Sequence, residues 1–194
     1  KIHAALRFPV EVAPDTLDVK MLRWARMSPD GTRVVFQALG HLYARDLPNG
    51  RPRRLTTQTD HFEFYPSFSR DGRQVAFTTW DDQQEGSVRV VAATGGRERI
   101  LTPEPGHYIE PAFSPDGSQV VYRKVAGGYI LSGRWSQDPG LYIVAATGGG
   151  AGGAGAAESG SRGRPKRLVT SGFAPHFGAG GDRVLFLDNE DETT

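Results

Sequence analysis

Short apolar stretches separated by turns recur along the chain in a fixed order. Three segments share one pattern of apolar and polar positions: 24–36 (WARMSPDGTRVVF), 65–77 (YPSFSRDGRQVAF) and 110–122 (EPAFSPDGSQVVY). A fourth segment, 174–186 (APHFGAGGDRVLF), keeps the apolar positions but has lost the Ser-Pro-Asp of the turn. The chain is therefore built from an internal repeat of about 40 to 45 residues, which is lengthened before the fourth segment.

The turn within each segment has the residues that a tight β-hairpin needs. In the tetrapeptide from Ser28 to Gly31, Pro29 fixes the first central φ of a type I turn, and Gly31 supplies the positive φ that follows. Three-residue hairpin loops use this geometry. The β-branched and aromatic run at 34–36 then predicts a half-buried strand.

The rest of each unit recurs as well. The hexapeptide VAATGG stands at 91–96 and again at 144–149, and the units close with RPRRLT (51–56), RERILT (97–102) and RPKRLVT (164–170). Four short strands in a unit of this length predict an all-β fold, a partial β-propeller of four-stranded antiparallel blades. A β-sandwich is the alternative, but it does not predict that whole four-strand units recur with the same turns.

The repeat divides the chain into three full blades and half of a fourth. The predicted units are an N-terminal extension or closing strand (1–20), blade 1 (21–56), blade 2 (57–102), blade 3 (103–170) and the first half of blade 4 (171–194). Within blade 3, the insert 150–163 is almost entirely Gly, Ala and Ser, which predicts a flexible surface loop. Propellers close with roughly four to eight blades, so we expect the chain to be part of a longer protein.

Composition excludes several functional classes. The 194 residues include 23 basic and 22 acidic side chains, a net charge of +1, which argues against a strongly charged nucleic-acid binder. There is no Cys, and no apolar run reaches the roughly 18 residues of a membrane span. Nucleophile-elbow, P-loop and H-E-x-x-H motifs are missing, and a G-x-G-x-x-G string at 148–153 lacks the helix that a dinucleotide site requires. We therefore assign no catalytic residue.

Candidate binding residues lie at the starts of the inner strands, which line the central channel of a propeller. These channel-lining candidates are His61, Glu63, His107, Glu110 and His176. Each histidine can instead hydrogen-bond its own turn, and a metal site needs three or four converging ligands. We therefore expect no metal ligands and no cofactor in this segment.

Other apolar side chains predict contacts rather than chemistry. Trp24, Phe68 and Phe113 are interpreted as inter-blade core, whereas Tyr129, Leu131 and Trp135 lie in an unusually apolar loop and are candidates for an interface with a neighbouring domain. An arc of blades leaves two sheet edges open, which natural proteins avoid. We therefore expect an oligomer or paired edges.

Four motifs recur in the same order along the chain: FSPDG-x-x-V-x-F, LY-V, GG and RLT. Together they resemble the TolB-type propeller repeat over about residues 21 to 188. The resemblance implies a bacterial periplasmic or extracellular protein. Such propellers bind proteins or stand in front of hydrolase domains, so it also implies a protein or peptide partner.

A second likeness concerns the stretches 17–31, 38–50, 52–56, 60–72, 104–117 and 120–129. They are similar to the N-terminal propeller of large bacterial amidohydrolase-family proteins. That resemblance implies a hydrolase domain beyond the propeller, containing a divalent metal such as zinc, with the propeller binding protein or peptide or gating substrate. Its H-x-H metal motif is missing here, so no catalytic residue is transferred. The alternatives are a stand-alone TolB-like envelope module and the propeller of a prolyl-oligopeptidase-like serine peptidase.

Overall fold

The computed structural model describes residues 18–126, 137–147 and 163–188, and the regular structure within these ranges is entirely β-strand. The strands of blade 1 are β1 (Arg23–Met27), β2 (Arg33–Ala38), β3 (His41–Asp46) and β4 (Arg53–Arg54). Those of blade 2 are β5 (Phe62–Phe68), β6 (Gln74–Trp80), β7 (Val88–Ala92) and β8 (Arg99–Ile100). Those of blade 3 are β9 (Tyr108–Phe113), β10 (Gln119–Lys124), β11 (Gly140–Ala145) and β12 (Lys166–Val169). Those of blade 4 are β13 (Phe173–Phe177) and β14 (Val184–Leu187).

Each blade is a simple antiparallel meander. The sheet orders are β1-β2-β3-β4, β5-β6-β7-β8 and β9-β10-β11-β12, and β13 pairs with β14 alone. This arrangement confirms the all-β partial propeller with three full blades and half of a fourth. Residues 18–20 form no strand, whereas 1–17, most of the insert 150–163, and Tyr129, Leu131 and Trp135 lie outside the described residues.

The hairpin turn of the first three blades is held by the same side-chain network. In blade 1, the Ser28 hydroxyl donates to Asp30 at 2.6 Å and accepts the Arg33 N–H at 2.9 Å, while Asp30 accepts the Thr32 N–H at 3.1 Å. The same Ser–Asp bond recurs at 2.6 Å in blades 2 and 3. Blade 4 keeps only the backbone part, in which the Gly181 N–H donates to the Gly178 carbonyl at 3.0 Å. Because the blade 4 turn has no serine and aspartate at these positions, it lacks the side-chain hydrogen bonds, but the backbone turn still forms.

Apolar side chains fill the spaces between consecutive blades. The first junction, between blades 1 and 2, is packed by Val35, Leu42, Ala44, Leu55, Val75, Phe77, Val91 and Ala93. The second junction, between blades 2 and 3, is packed by Ala76, Val88, Val90, Leu101, Tyr108, Phe113, Val120, Tyr122, Val144 and Ala146. Burial of these surfaces is the main favourable term that holds the blades side by side.

Arginines near the rim add a polar link across the same two junctions. Arg33 donates to the Ala93 carbonyl and Arg53 to the Thr94 carbonyl, each at 3.0 Å, and Arg99 donates to the Ala146 carbonyl at 3.0 Å. The repeated VAATGG motif thus supplies acceptors to the preceding blade. These arginines therefore donate hydrogen bonds to backbone carbonyl groups and also place positive charge along the outer edge of the blades.

Among the described residues, the third junction, between blades 3 and 4, is not filled. A cavity of about 350 Å³ remains there, lined by apolar side chains that include Leu141, Ile143, Leu168 and Phe177. Strand β14 leaves Leu185 and Leu187 about half exposed, at 49% and 57%.

Candidate functional site

Each of the four inner strands contains one residue with a left-handed backbone. Trp24, Tyr65, Glu110 and Ala174 occupy the same repeat position and have φ values of 48°, 52°, 56° and 50°. The pairing register of each inner strand shifts at this place, which marks a β-bulge. Positive φ is costly for bulky residues, and a bulge turns a side chain away from its alternating direction. The same strained backbone conformation therefore occurs four times on one side of the molecule. Such strain clusters at functional surfaces, where the surrounding structure holds it in place.

The bulges line a groove on the channel side of the arc. This channel-side groove has a volume of about 370 Å³. Its lining residues are Trp24, Arg26, Tyr65, Pro66, Ser67, Glu110, Pro111, Ala112, Ala174, Pro175 and His176. Three of the four bulged residues precede a buried proline, which needs no ladder partner and is therefore tolerated at a bulge. The groove combines aromatic faces, the Arg26 guanidinium, the His176 imidazole and one carboxylate.

Neighbouring bulged residues contact one another across the blades. The rings of Trp24 and Tyr65 are 4.5 Å apart between centroids, and Glu110 Oε2 accepts the Ala174 N–H at 2.8 Å. Burial, followed by the Glu110 carboxylate, raises the pKa of Tyr65, while Arg123 opposes the shift. The Tyr65 hydroxyl is therefore neutral at physiological pH and remains a hydrogen-bond donor.

The structure brings two of the predicted channel residues together. Glu110 and His176 both line the channel-side groove, and His176 is exposed, with Nδ1 3.1 Å from the Ala174 carbonyl oxygen. His107 lies one residue before β9, outside the groove residues, and its ring lies 5.5 Å from that of Trp80.

Glu63 lies in the protein interior rather than in the groove. Its side chain is completely buried and accepts the Leu42 N–H at 2.5 Å, the Gln58 amide at 2.5 Å and the Thr56 hydroxyl. The Leu42 and Thr56 groups belong to blade 1, whereas Glu63 belongs to blade 2. The physical reason for this placement is that Glu63 precedes the bulge, so its side chain points into the first junction.

His61 is also buried beside its own blade rather than in the groove. Its Nδ1 lies 3.0 Å from Asp60 Oδ1, and its Nε2 lies 3.5 Å from Glu98 Oε2. Glu98 in turn accepts from Arg89 at 3.1 Å. A small cavity of about 160 Å³ borders His61, together with Asp60, Asp81 and Glu104.

The sequence pattern predicted a core position for one groove residue, and several other groove residues were not predicted. Trp24 was interpreted as inter-blade core, but it is only half-buried and lines the groove. Phe113 is buried in the second junction and Phe68 packs against the first, as expected. Arg26 and Tyr65 were missed, although Tyr65 stands at the repeat position of Glu110, and this alignment was the signal available in the sequence.

Comparisons with known proteins agree on the fold. No family model matches the chain. The Tol-Pal system protein TolB of Francisella tularensis subsp. holarctica is 28% identical over 123 residues, which span 58% of this chain and 26% of that protein. The chain thus spans about a quarter of the length of the curated relatives it matches.

Two solved structures show the same architecture. A putative TolB from Agrobacterium tumefaciens superposes with a TM-score of 0.64 at 19% identity, over 87% of this chain and 54% of that chain. TolB from Acinetobacter baumannii gives a TM-score of 0.63 at 16% identity, over 89% of this chain and 39% of that chain. The chain therefore has the TolB-like β-propeller fold that its repeats resemble. Within the described ranges there is no helix of the length and hydrophobicity that a membrane crossing requires.

Proposed function

We propose that the chain is a protein- or peptide-binding scaffold and that its partner lies in the channel-side groove. The observation that carries the proposal is the repeated bulge, which places Trp24, Tyr65 and Glu110 on one surface. Half-buried aromatic rings beside charged groups are the side chains that dominate protein recognition. The match to proteins named for the Tol-Pal system supports a role in binding rather than in chemistry.

The groove favours an extended segment that is both apolar and acidic. The aromatic pair of Trp24 and Tyr65 offers a stacking surface, and Arg26 and His176 lie exposed along the same groove. Arg26 can hold a carboxylate by two parallel hydrogen bonds. Glu110 disfavours a second acidic group beside it, because like charges repel.

Peptides displayed on phage provide a probe when the natural partner is unidentified. Selection against the immobilised chain is expected to enrich sequences that contain an aromatic or aliphatic residue and an acidic residue. Tyr65→Ala and Arg26→Glu should each weaken binding of these peptides at least tenfold, because truncated aromatic and Arg anchors carry most of the binding energy. Arg73→Ala, which lies outside the groove residues, is the matched control.

The same selection can contradict the proposal. Peptides that bind the wild type and the two groove variants equally would place recognition elsewhere on the chain. An absence of enrichment above an uncoated surface would argue against a peptide-binding groove.

We further propose that this scaffold belongs to a longer, exported bacterial envelope protein of the amidohydrolase type, where it holds or screens substrate for a hydrolase domain. The supporting observation is the likeness of stretches such as 60–72 and 104–117 to the propellers of that family. The metal would then be bound by the hydrolase domain. A coding sequence that continues into further repeats and an H-x-H motif would support this proposal. A stop after the repeats would favour a stand-alone module, and a G-x-S-x-G motif followed by Asp and His would favour a serine peptidase.

We also propose that the open ends of the arc are covered in the functional assembly, by further blades or by a second copy. Strand β14 exposes Leu185 and Leu187, and the region before β1 exposes Met21 and Leu22. Exposed apolar surface at a sheet edge promotes pairing. Light scattering of the isolated chain is expected to show a mass above that of a monomer, whereas a monomer at high concentration would contradict self-association.

A further inference from the structure

We propose that His61, Glu63 and Glu98 form a site for one divalent metal ion of the zinc class. One potential ligand atom from each of these residues lies within 4.8 Å of the other two. Zinc accepts an imidazole nitrogen and carboxylate oxygens at about 2.0–2.2 Å in a tetrahedral arrangement, so ligands of a bound ion lie roughly 3.3–3.6 Å apart. A small movement of these side chains brings them to that spacing.

The histidine is poised as a ligand. The His61 side chain is only 4% exposed, and its Nε2 has no hydrogen-bond partner among the residues that the structure describes. The Asp60 carboxylate lies 3.0 Å from the other ring nitrogen and orients the ring so that Nε2 points toward Glu98. A carboxylate on the far side of a ligating imidazole is the usual supporting contact in zinc sites. Burying this nitrogen without a partner costs free energy, and a bound metal ion would supply the partner.

Two carboxyl side chains, those of Glu63 and Glu98, lie close to each other and to His61. Glu63 is completely buried and the Glu98 side chain is 13% exposed. Arg89 Nη1 lies 3.1 Å from Glu98 Oε2, whereas the ion pair recorded for Glu63 among the described residues is with His41, at 4.0 Å. Buried charges are normally paired or bound to a metal, and a dication would complete the pairing.

A cavity borders one of the three proposed ligands, His61. The cavity of about 160 Å³ beside His61 is also lined by Asp60, Asp81 and Glu104. Carboxylates at the mouth of a cavity raise the local concentration of cations. The same cavity can hold the water that would complete a four-coordinate zinc ion.

The position of the site defines what the ion would do. Glu63 holds the Leu42 N–H and the Thr56 hydroxyl of blade 1, while Glu98 precedes the outermost strand of blade 2. A metal ion at this point would therefore fasten the outer part of blade 2 to the first junction. The mixed nitrogen and oxygen set favours zinc over magnesium and calcium, which prefer oxygen ligands.

Titration of the intact chain with zinc chloride tests the proposal. After treatment with a chelator and its removal, calorimetry is expected to show one tight equivalent of Zn²⁺ and much weaker binding of Mg²⁺. His61→Asn and Glu98→Gln should each lower the zinc affinity at least tenfold, because each removes one of three ligands. His107→Asn and His176→Asn are the matched controls and should leave the tight equivalent unchanged.

Two further measurements separate the site from adventitious binding and from misfolding. Zinc should raise the thermal unfolding midpoint of the wild type and of His176→Asn, but not that of His61→Asn, and circular dichroism should show that all variants are folded. X-ray absorption of the one-equivalent complex should show a single imidazole ligand. Tight zinc binding that survives both His61→Asn and Glu98→Gln, or no tight equivalent in the wild type, would overturn the proposal.

Discussion

At both the first and the third junction, a glutamate carboxylate accepts a backbone N–H of the neighbouring blade, but one bond is buried and the other is exposed. At the first junction, Glu63 of blade 2 accepts the Leu42 N–H of blade 1 within a completely buried environment. At the third junction, Glu110 of blade 3 accepts the Ala174 N–H of blade 4, but the bond is exposed to solvent. The first bond lies against a packed apolar core, whereas the second lies beside the channel-side groove.

We expect burial, rather than the bond itself, to decide which contacts hold the arc together. A buried acceptor cannot be replaced by water, so its loss leaves its donors unsatisfied. An exposed acceptor exchanges with water at little cost. The third junction thus leaves a carboxylate available for recognition, while the closed first junction uses a carboxylate for stability.

The largest expected effect comes from removing the two glutamates in turn. Glu63→Ala should lower the free energy of unfolding by about 3–5 kcal/mol, because three donors lose their acceptor in the interior. Glu110→Ala should cost less than about 1 kcal/mol. Urea denaturation in the presence of a chelator measures both without any contribution from bound metal. Equal losses in the two variants would show that burial does not distinguish the junctions.

A second test compares two glycines, one at a closed junction and one in blade 4. Gly86 and Gly106 exchange backbone hydrogen bonds of 3.0 and 3.2 Å between blades 2 and 3. A Cβ at Gly86 would lie 2.5 Å from the carbonyl oxygens of Gly106 and Thr79, whereas a Cβ at Gly178 would meet nothing closer than 3.7 Å. Gly86→Ala should therefore cost about 2 kcal/mol.

Gly178→Ala is the control for that substitution. It should be neutral or slightly stabilising, because the unfolded chain loses freedom while the folded chain is not strained. Thermal unfolding monitored by circular dichroism gives the ranking. A destabilisation by Gly178→Ala as large as that of Gly86→Ala would contradict the view that only the closed junctions are tightly packed.

A third test restores the missing side chains of the fourth turn. The double substitution Gly178→Ser and Gly180→Asp recreates the Ser–Asp pair of the other blades, and should stabilise the β13–β14 hairpin by about 1 kcal/mol. Amide hydrogen exchange of β13 and β14 measures the local effect. The new Asp side chain must displace the tip of Asp182, which would lie 3.1 Å from its Cβ. Unchanged exchange would show that the backbone turn alone sets the stability of blade 4.

The smallest expected effect is electrostatic and belongs to the first three turns. The Ser28 hydroxyl, followed by the Thr32 N–H, lowers the pKa of Asp30 to about 2, and the Ser114 hydroxyl acts likewise on Asp116, whose pKa is also about 2. Ser28→Ala should raise the pKa of Asp30 toward its ordinary value of 3.8 and leave Asp116 unchanged. Carbon-detected NMR titration of the carboxyl groups measures both values.

The sign of the pH dependence follows from these values. Because the folded pKa of Asp30 lies below its ordinary value, its contribution to stability is present above pH 3.8 and is lost as the pH falls through about 2. Blade 4 has no such aspartate in its turn, so its hairpin should not share this acid sensitivity. An Asp30 carboxyl that titrates near 3.8 in the wild type would show that the turn network does not form in solution.

The sequence by itself determined the repeat, the strands and the blades. Proline, aspartate and glycine at fixed offsets specify the hairpin of residues 28–31, and apolar alternation specifies the strands around it. These features depend on residues that are close together in the sequence, so they can be predicted without knowledge of contacts between distant residues. The position of Glu110 and His176 within inner strands predicts that they line the channel, and the structure places both beside the same groove.

Only the tertiary structure decided which side chains share a site. The left-handed residues at Trp24 and Tyr65 shift the strand register, so simple alternation cannot tell that Trp24 lines the groove while Glu63 lies in the interior. Glu98 lies near His61 because the outermost strand that follows it, β8, pairs with the rest of blade 2. Such contacts are set by backbone direction and by packing between strands distant in sequence, and neither is encoded in the local pattern of any one segment.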